Sequence, residues 1–325
     1  MSKKILVVGG GGREHAIVKA VKKNPDVETI YALPGNGGIA ADAVCVPIGA
    51  KEIDRIAAFA EEQAVDFAIV APDDPLALGA VDRLHALGIP CFGPDAKAAE
   101  IESSKVFAKN LMRKYNIPTA AYAVFEDPET ALAYLRGARY PSVIKADGLA
   151  LGKGVIIAQN YVEAQAAIET IMREKKFGAS GSRVVIEEFL TGPEVSVLAF
   201  TDGETLVPMV SSMDHKRALD GDLGPNTGGM GTVAPNPYYT KRIADTCMQT
   251  IFLPTIRAMV SWANVDMAFA FLDIWASYLL QRKRTVRRPF PGASFLFQLV
   301  KLEESDVGNV ALVVHAIMIG IVIQV

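Results

Sequence analysis

Two lysines and three glycines lie in the segment from Lys145 to Gly154, between two apolar runs. The runs, Val143-Ile144 and Val155 to Ile157, are β-branched and predict strands, so the segment joins strand to strand. Glycines let backbone N–H groups approach phosphate oxygens without an intervening Cβ, and Lys145 and Lys153 add positive charge. The segment therefore predicts a loop that binds a triphosphate; an ordinary glycine-containing hairpin with surface lysines is the alternative.

A Walker A loop is the obvious competitor, but it has the pattern G-x-x-x-x-G-K-[ST] and leads into a helix. Here three residues separate Gly148 from Gly152, Gly154 follows Lys153, and the next element is a predicted strand. The spacing therefore argues against Walker A.

Strands and helices alternate along the first hundred residues, and the strands are short and almost entirely apolar. This pattern predicts an α/β fold with a parallel sheet covered on both faces. The predicted strands are Ile5–Val8, Thr29–Leu33, Ala43–Val46 and Phe67–Val70, and the predicted helices are Glu14–Lys23, Ile53–Glu62 and Leu76–Leu87.

The first turn, Gly9 to Gly12, opens a helix and so predicts an anion site made of free N–H groups and the helix dipole. A dinucleotide fingerprint is disfavoured, because Glu14 stands at its third glycine position and no acidic residue ends the second strand at Leu33 to Asn36. The turn is expected to hold one phosphate of a small substrate, unless it is a tight glycine turn without a ligand.

A smaller α+β unit begins after Ser103-Ser104, which can cap a helix over Lys105 to Tyr115. Asp127-Pro128 predicts the start of a second helix, Val162–Met172 a third, and Val184–Ile186 a strand.

That strand runs into Glu187 to Leu190, followed by Gly192 to Glu194. The main chain there can bond an adenine edge, and Glu194 can bond a ribose. Adjacent glutamates at a strand end are usually solvated, so only together with the lysine loop does this segment predict a nucleotide pocket between two sheets.

A second dense segment contains Asp214 to Arg217 and the glycine-rich run Gly224 to Gly231. So many charged and imidazole groups in a flexible loop would be entropically costly without a ligand, so we expect one to bind there. His215 alone is given no acid–base role.

Taken together, these motifs resemble the phosphoribosylamine–glycine ligase (glycinamide ribonucleotide synthetase) family of the ATP-grasp superfamily, over about residues 3 to 259. The motifs that carry the resemblance are Gly9–His15, Pro34–Asn36, Lys145–Val155, Glu187–Leu190 and Asp214–Gly231. The resemblance implies an N-terminal parallel-sheet (pre-ATP-grasp) domain at 1–103 and an α+β ATP-grasp domain at 104–259, with a lid subdomain at about 119–190 and an incomplete C-terminal end.

The resemblance also implies ATP-dependent ligation of glycine to 5-phosphoribosylamine through a glycyl phosphate, a step of de novo purine synthesis. Mg²⁺ or Mn²⁺ is expected with ATP. The nucleotide site would comprise Lys105, Lys145, Lys153, Gly154, Glu187, Glu188, Phe189, Leu190 and Glu194. The substrate site would comprise Gly11, Gly12, Arg13, Glu14, His15, Asn36, Asp73, Asp214, Lys216, Arg217, Asn226, Thr227, Gly228 and Gly229, and the catalytic cations would be Lys145, Lys216 and Arg217.

Two departures from the family pattern stand out. Ala71 to Asp74 replaces an expected Gly-Pro-Glu, so its carboxylate is one methylene shorter. From Val260 the composition changes, and neither the Glu-x-Asn metal ligands nor the Arg-Phe-Gly-Asp-Pro-Glu segment of the family is found; Asp266, Asp273 and Glu303 are candidates to replace the ligands. A frame shift or premature end in the coding sequence would produce such a tail, and a lineage-specific replacement is the alternative.

Three functions follow as hypotheses: the working ligase, an impaired relative that still binds nucleotide, and another ATP-grasp ligase, which the Asp214–Gly231 motif disfavours.

A formal charge of −3 gives no reason to expect nucleic acid as a partner. The apolar run from Val310 to Val325 is shorter than the roughly 18 residues that span a bilayer and contains His315. Met1 to Lys4 runs directly into a strand without room for a signal peptide, and the cysteines are widely spaced, so a cytoplasmic protein is expected.

Overall fold

The computed structural model describes residues 2–150, 154–192, 194–201, 203–215, 217–221, 223–227, 230–263 and 270–274, excluding the side chains of 217, 225, 226, 263 and 270–274. A parallel sheet comes first, as predicted. Its strands run in the order β3-β2-β1-β4-β5. They are β1 Lys3–Gly9, β2 Val27–Pro34, β3 Val44–Cys45, β4 Phe67–Val70 and β5 Cys91–Phe92.

Helices cover both faces of this sheet, and the alternation of side chains along β1 shows why both faces are apolar. Leu6 and Val8 belong to one buried cluster and Ile5 and Val7 to another, and all four are fully buried. The helices are α1 Gly12–Val21, α2 Ile53–Glu62, α3 Asp73–Ala77, α4 Ala80–His85 and α5 Glu100–Ser103, with a 3₁₀ turn at Ile39–Ala41.

One helix prediction for this region was wrong. The predicted single helix from Leu76 to Leu87 is two short helices, α3 and α4, because Gly79 between them has a φ of +81°. This left-handed conformation suits glycine and interrupts a right-handed helix.

The second sheet is antiparallel and has the strand order β6-β9-β7-β8. Ser104 and Asp127 cap α6 and α7 as predicted, by accepting from the N–H groups of Phe107 and Thr130. The elements are α6 Lys105–Lys114, β6 Tyr122–Phe125, α7 Pro128–Arg136, β7 Ser142–Ala146, β8 Val155–Ala158, α8 Tyr161–Ile168 continuing as a π turn over Glu169–Arg173, a 3₁₀ turn Gly178–Ser182, and β9 Val184–Glu188.

The remaining strands form a three-stranded sheet, in the order β11-β10-β16, and two short antiparallel pairs. The strands are β10 Val197–Thr201, β11 Leu206–Pro208, β12 Met213–Asp214, β13 Arg217–Leu219, β14 Leu223–Asn226, β15 Thr232–Val233 and β16 Ala270–Ile274. Two helices, α9 Lys241–Cys247 and α10 Leu253–Ala263, are joined by a π turn at Met248–Phe252.

An apolar cluster joins these parts, because α6, β10 and the α9–α10 segment share it. The ring of Trp262 lies 4.5 Å from that of Phe107 on α6. Phe200 on β10 lies 6.0 Å from Phe92 of the parallel sheet. The chain therefore remains packed a short way past Val260, where the composition changes. No helix in the described part of the chain is long and apolar enough to span a membrane.

The shared cluster predicts the effect of truncating Phe252, which is 1% exposed. Phe252→Ala should lower the free energy of unfolding by about 3–5 kcal/mol, because it removes buried apolar surface and leaves a cavity. Leu223, which is 63% exposed, provides the control. Leu223→Ala should change stability by less than about 0.5 kcal/mol in the same denaturation experiment; equal effects of the two substitutions would contradict this account of the core.

Candidate functional site

Among the described residues, three lysine side chains lie around one carboxylate, and two of them pair with it directly. Strands β7 and β9 pair antiparallel with Val143 opposite Glu187, so Lys145 and Glu187 project from the same face of the sheet. Lys105 and Lys109 lie one turn apart on α6 and share a helix face. The sequence predicted Lys105, Lys145 and Glu187 for the site, but Lys109 was missed.

The distances in this cluster are those of direct ion pairs. The Nζ atoms of Lys109 and Lys145 each lie 3.1 Å from the Glu187 carboxylate. Lys105 Nζ donates to the carbonyl oxygen of Gly148 at 3.0 Å. Glu187 is 5% exposed, so the general tendency of paired strand-end glutamates to be solvated holds here only for the exposed Glu188.

The charges of the cluster do not balance. Burial lowers the pKa of Lys105, and the neighbouring charge of Lys145 lowers it further. Burial also lowers the pKa of Lys109, and the Glu187 carboxylate opposes this shift. A polyanion bound beside Lys105 and Lys145 would relieve the repulsion between them, so the cluster suits phosphate groups.

Asp147, which the sequence analysis did not single out, connects the start of the glycine loop to α6. Its carboxylate accepts from the Ser104 hydroxyl at 3.0 Å and the Val106 N–H at 2.8 Å, and Arg183 Nε donates to it at 2.9 Å. Its carbonyl oxygen accepts from the Lys105 N–H at 3.0 Å. These bonds hold Lys105 next to the loop. The available signal was a carboxylate inside a loop otherwise suited to anions.

The glycine loop joins β7 to β8, which confirms the predicted strand-to-strand connection. A Cβ on Gly148 would lie 2.3 Å from Ser180 Oγ, and one on Gly154 would lie 2.7 Å from the Ala150 Cβ. At these two positions the missing side chain makes room for the protein itself, a reason for glycine that the sequence analysis did not include. The predicted site residue Lys153 lies outside the described residues.

The turn from Gly9 to Gly12 leads from β1 into α1 as predicted, but one of its donors is already used. The Gly11 N–H donates to Glu14 Oε2 at 2.7 Å, and Arg13 Nε donates to Glu14 Oε1 at 2.6 Å. The turn was predicted to offer free N–H groups, and that of Gly11 is not among them, because the buried Glu14 carboxylate caps the helix.

Asn36 and Asp73 lie at the same edge of the parallel sheet as this turn. Asn36 Nδ2 donates to the Gly10 carbonyl oxygen at 2.8 Å, and Asn36 Oδ1 accepts from the Ile39 N–H at 2.9 Å. Asp73 begins α3 directly after β4, the neighbour of β1. Burial raises the pKa of Asp73 to about 6, and the Arg13 charge only partly offsets this.

His15 also lies near this edge, although its ring contacts an acidic residue. His15 Nε2 is 3.9 Å from Asp42 Oδ2, and Lys19 and Lys22 pair with the same carboxylate at 3.0 and 2.8 Å. The hydrogen bonds from these two lysines are the largest cause that lowers the pKa of Asp42, to about 2.

The described residues between Asp214 and Gly231 include paired strands and backbone hydrogen bonds, which the sequence analysis did not predict for this segment. His215 N–H donates to the Gly231 carbonyl oxygen at 3.0 Å, and Met230 N–H donates to the His215 carbonyl oxygen at 2.7 Å. Between these two hydrogen-bonded positions, β13 and β14 form a hairpin. Asp214 and the partly buried Thr227 are described in full, Arg217 and Asn226 only in their backbone, and Lys216, Gly228 and Gly229 lie outside the described residues.

The predicted adenine and ribose segment follows β9. Phe189, Leu190 and Glu194 are partly buried there. Asn236 Nδ2 donates to the Glu194 carbonyl oxygen at 3.1 Å and so fixes the backbone at this point.

A metal site is not visible within the described ranges, which contain no group of three or more His, Cys, Asp or Glu side chains able to hold an ion. Of the candidate replacements, Asp266 and Glu303 lie outside those ranges, and the side chain of Asp273 is not described.

The raised pKa of Asp73 predicts a pH-dependent stability. The folded state keeps this carboxyl protonated up to about pH 6, whereas in the unfolded state it ionises near its ordinary pKa of 3.8. Its contribution to the stability of the folded state is therefore lost as the pH rises from about 4 to 6. Asp73→Asn should therefore leave stability at pH 4 nearly unchanged and raise it on the order of 1–3 kcal/mol at pH 7.5. Thermal unfolding at both pH values tests this. Asp54→Asn is the control, because that side chain is 93% exposed; an Asp73 variant without a pH-dependent difference would contradict the prediction.

Comparison with known proteins places these features in a family. The chain matches the family models for the phosphoribosylglycinamide synthetase N domain, over residues 3–102, and for the phosphoribosylglycinamide synthetase ATP-grasp (A) domain, over residues 103–269.

Two curated relatives are phosphoribosylamine–glycine ligases. The Vibrio cholerae protein is 47% identical over 83% of this chain and 63% of its own length. The Streptococcus pyogenes protein is 49% identical over 79% of this chain and 62% of its own length. The chain thus spans less than two thirds of the length of these relatives.

Solved structures agree with this. The Thermotoga maritima phosphoribosylamine–glycine ligase is 32% identical, with a TM-score of 0.70 over 84% of this chain and 64% of that chain. The biotin carboxylase domain of the Hydrogenobacter thermophilus 2-oxoglutarate carboxylase, solved with MgADP, is 17% identical, with a TM-score of 0.62 over 83% of this chain and 59% of that chain, and shares the fold alone. The predicted fold class and resemblance are confirmed, and the chain belongs to the phosphoribosylamine–glycine ligase family.

Proposed function

We propose that the chain catalyses the ATP-dependent ligation of glycine to 5-phosphoribosylamine, giving glycinamide ribonucleotide, ADP and phosphate in de novo purine synthesis. Family membership supports the reaction. The structural observation that carries the proposal is the excess of buried positive charge formed by Lys105, Lys109 and Lys145 around Glu187.

In this proposal the ATP phosphates lie beside Lys105 and Lys145, and the glycine loop covers them. Glu187 Oε1 is buried and lies 3.1 Å from Lys145 Nζ, so this carboxylate holds Lys145 beside the phosphates. The segment from Glu188 to Leu190 would contact the adenine and Glu194 the ribose. Lys153 and Gly154 complete the nucleotide site.

The amine substrate would lie at the carboxyl edge of the parallel sheet, beside Arg13, Asn36 and Asp73. The Asp214–Gly231 segment would close over both substrates, with Lys216 and Arg217 as its cations. The division into an N-terminal domain at 1–103 and an ATP-grasp domain at 104–259 is part of this proposal, as is a cytoplasmic location.

The chemistry explains why lysines and N–H groups suffice without a side-chain nucleophile. A carboxylate and an amine do not condense in water, so the γ-phosphoryl group of ATP first converts glycine to glycyl phosphate. The amine of phosphoribosylamine then attacks the acyl carbon and displaces phosphate. The protein positions the reactants, neutralises charge on the transferring oxygens and excludes water that would hydrolyse the intermediate.

Mg²⁺ or Mn²⁺ is expected to accompany ATP, and it would neutralise phosphate charge when bound. The described residues provide no cluster of ligands for such an ion, so no step of this proposal is routed through it. Another ATP-grasp ligase with a different acid is disfavoured by the Asp214–Gly231 motif.

Nucleotide binding is the first test. Lys145→Ala should weaken ATP binding on the order of 1.5–3 kcal/mol, because it removes a charge-assisted hydrogen bond to phosphate. Calorimetry measures the change, and Lys176→Ala, an exposed lysine elsewhere in the second sheet's domain, is the control. If the two variants bind ATP equally well, Lys145 does not contact the nucleotide.

Turnover is the second test. ADP release should require both glycine and freshly prepared phosphoribosylamine. Because the family's Glu-x-Asn ligands are not found in residues 260–325, we expect the rate to be low and to rise when a family-type sequence replaces those residues. Equal rates of the two proteins would mean that residues 260–325 supply the metal ligands, and an absence of ADP release from both would contradict the proposed reaction.

A further inference from the structure

The lysine that the sequence analysis missed, Lys109, is the most deeply buried of the three and has a different set of partners. Its Nζ donates to Thr119 Oγ1 at 2.7 Å, lies 3.1 Å from Glu187 Oε2, and stands 5.5 Å from the centre of the Tyr122 ring. The Tyr122 hydroxyl donates back to the Lys109 carbonyl oxygen at 2.9 Å. An ammonium has three N–H donors, and three groups of the protein already face this one. Two of these donors are taken by Thr119 and Glu187, and Lys109 is more deeply buried than the other two lysines, so a ligand has little access to it.

Lys105 and Lys145 are placed differently. Within the described part of the chain, the Lys145 ammonium pairs with Glu187, and that of Lys105 is held by the backbone carbonyl oxygens of Asp147 and Gly148. Both ammonium groups can offer donors to a bound anion. Lys109 is thus engaged mainly by side chains of the protein, whereas Lys105 and Lys145 keep N–H donors for a bound anion.

Glu187 pairs with both Lys109 and Lys145. If Lys145 were its only cationic partner, the two opposite charges would cancel, and the cluster would present little more than the charge of Lys105. With Lys109 on the same carboxylate, these four side chains together keep a net charge of +2, from three cations and one anion. The carboxylates of Glu102 and Asp147 also act on Lys105 and that of Glu188 acts on Lys109, and Asp147 is paired with Arg183. Glu187 can then fix the position of Lys145 without neutralising it.

We propose that Lys109 is a positioning residue that compensates the charge of Glu187, so that Lys145 is oriented by this carboxylate and still presents its positive charge to a polyphosphate. The inference rests on the proposed function in so far as the polyphosphate is that of ATP. It assigns Lys109 an effect on nucleotide binding without a contact to the nucleotide.

A purely structural ion pair is the competing explanation, and a charge-balanced double variant separates the two. Lys109→Met lowers the net charge of the cluster to +1, whereas Lys109→Met combined with Glu187→Gln restores +2. If Lys109 acts through charge, the second substitution should rescue the first. If Lys109 acts only through packing and hydrogen bonds, the second substitution should add to the damage.

The experiment measures dissociation constants of ATP and adenosine by calorimetry, together with melting temperatures, for the full chain and its variants. Lys109→Met should weaken ATP binding about tenfold and adenosine binding less than about twofold, because only ATP carries the charge that the cluster recognises. The double variant should bind ATP at least about threefold more tightly than Lys109→Met, although less tightly than the unaltered chain, because Glu187→Gln removes the carboxylate that orients Lys145. Lys109→Arg, which keeps the charge, should bind ATP within about threefold of the unaltered chain. Lys114→Met, at an exposed lysine of the same helix, should change neither constant.

Three results would overturn the inference: unchanged ATP affinity in Lys109→Met, an equal loss of ATP and adenosine affinity, or a double variant weaker than the single one. If Lys109→Met does not fold, the double variant is compared with Glu187→Gln alone: charge compensation predicts ATP affinities within about threefold of each other, and a larger loss in the double variant overturns the inference. Failure of the unaltered chain to bind ATP is a separate result, which overturns the proposed function and the inference together. ATP binding with no effect at Lys109 overturns the inference alone.

Discussion

Burial of unbalanced charge is the constraint on which the second half of this structure depends. Three ammonium groups lie beside one carboxylate in a region that lowers the pKa of Lys105 and Lys109 by desolvation. Such an arrangement persists only if the surrounding backbone holds the groups in place. The pairing of β7 with β9 places Lys145 and Glu187 on the same face of the sheet, and the position of α6 brings Lys109 to the same carboxylate and Lys105 to the carbonyl oxygen of Gly148.

Asp147 is the residue that connects these elements. It binds the N-terminus of α6 through Ser104 and Val106 and binds the start of β9 through Arg183. The acidic side chain in the glycine loop thus has a structural reason. It satisfies N–H groups at the start of a helix and fixes the entry of the loop, so that the lysine at the first helical position stays beside Gly148.

Charged groups also lie close together at the carboxyl edge of the parallel sheet, but there the carboxylates outnumber the cations among the residues named. Glu14 occupies the Gly11 N–H and pairs with Arg13, while Asp73 stands close by with a raised pKa. This edge therefore combines acidic and basic groups and is not a simple anion site. A mixed set of this kind suits a substrate that carries a phosphate, hydroxyl groups and an amine, which is the proposed phosphoribosylamine.

The sequence by itself determined the alternation of strands and helices, the capped starts of α6 and α7, the strand-to-strand glycine loop and the family. Each of these depends on residue types at short, fixed separations along the chain. The sequence did not determine the break between α3 and α4, where Gly79 in a left-handed conformation interrupts an otherwise helical apolar pattern. It also did not determine the hairpin within the Asp214–Gly231 segment. Lys109 and Asp147 were missed for a further reason. Their roles come from partners about 40 or more positions away, Glu187 for Lys109 and Ser104 for Asp147, and local spacing carries no information about such pairs. Only the tertiary structure decides which charges are buried together, because burial and strand register fix both the distance between charges and the desolvation that gives them their chemistry.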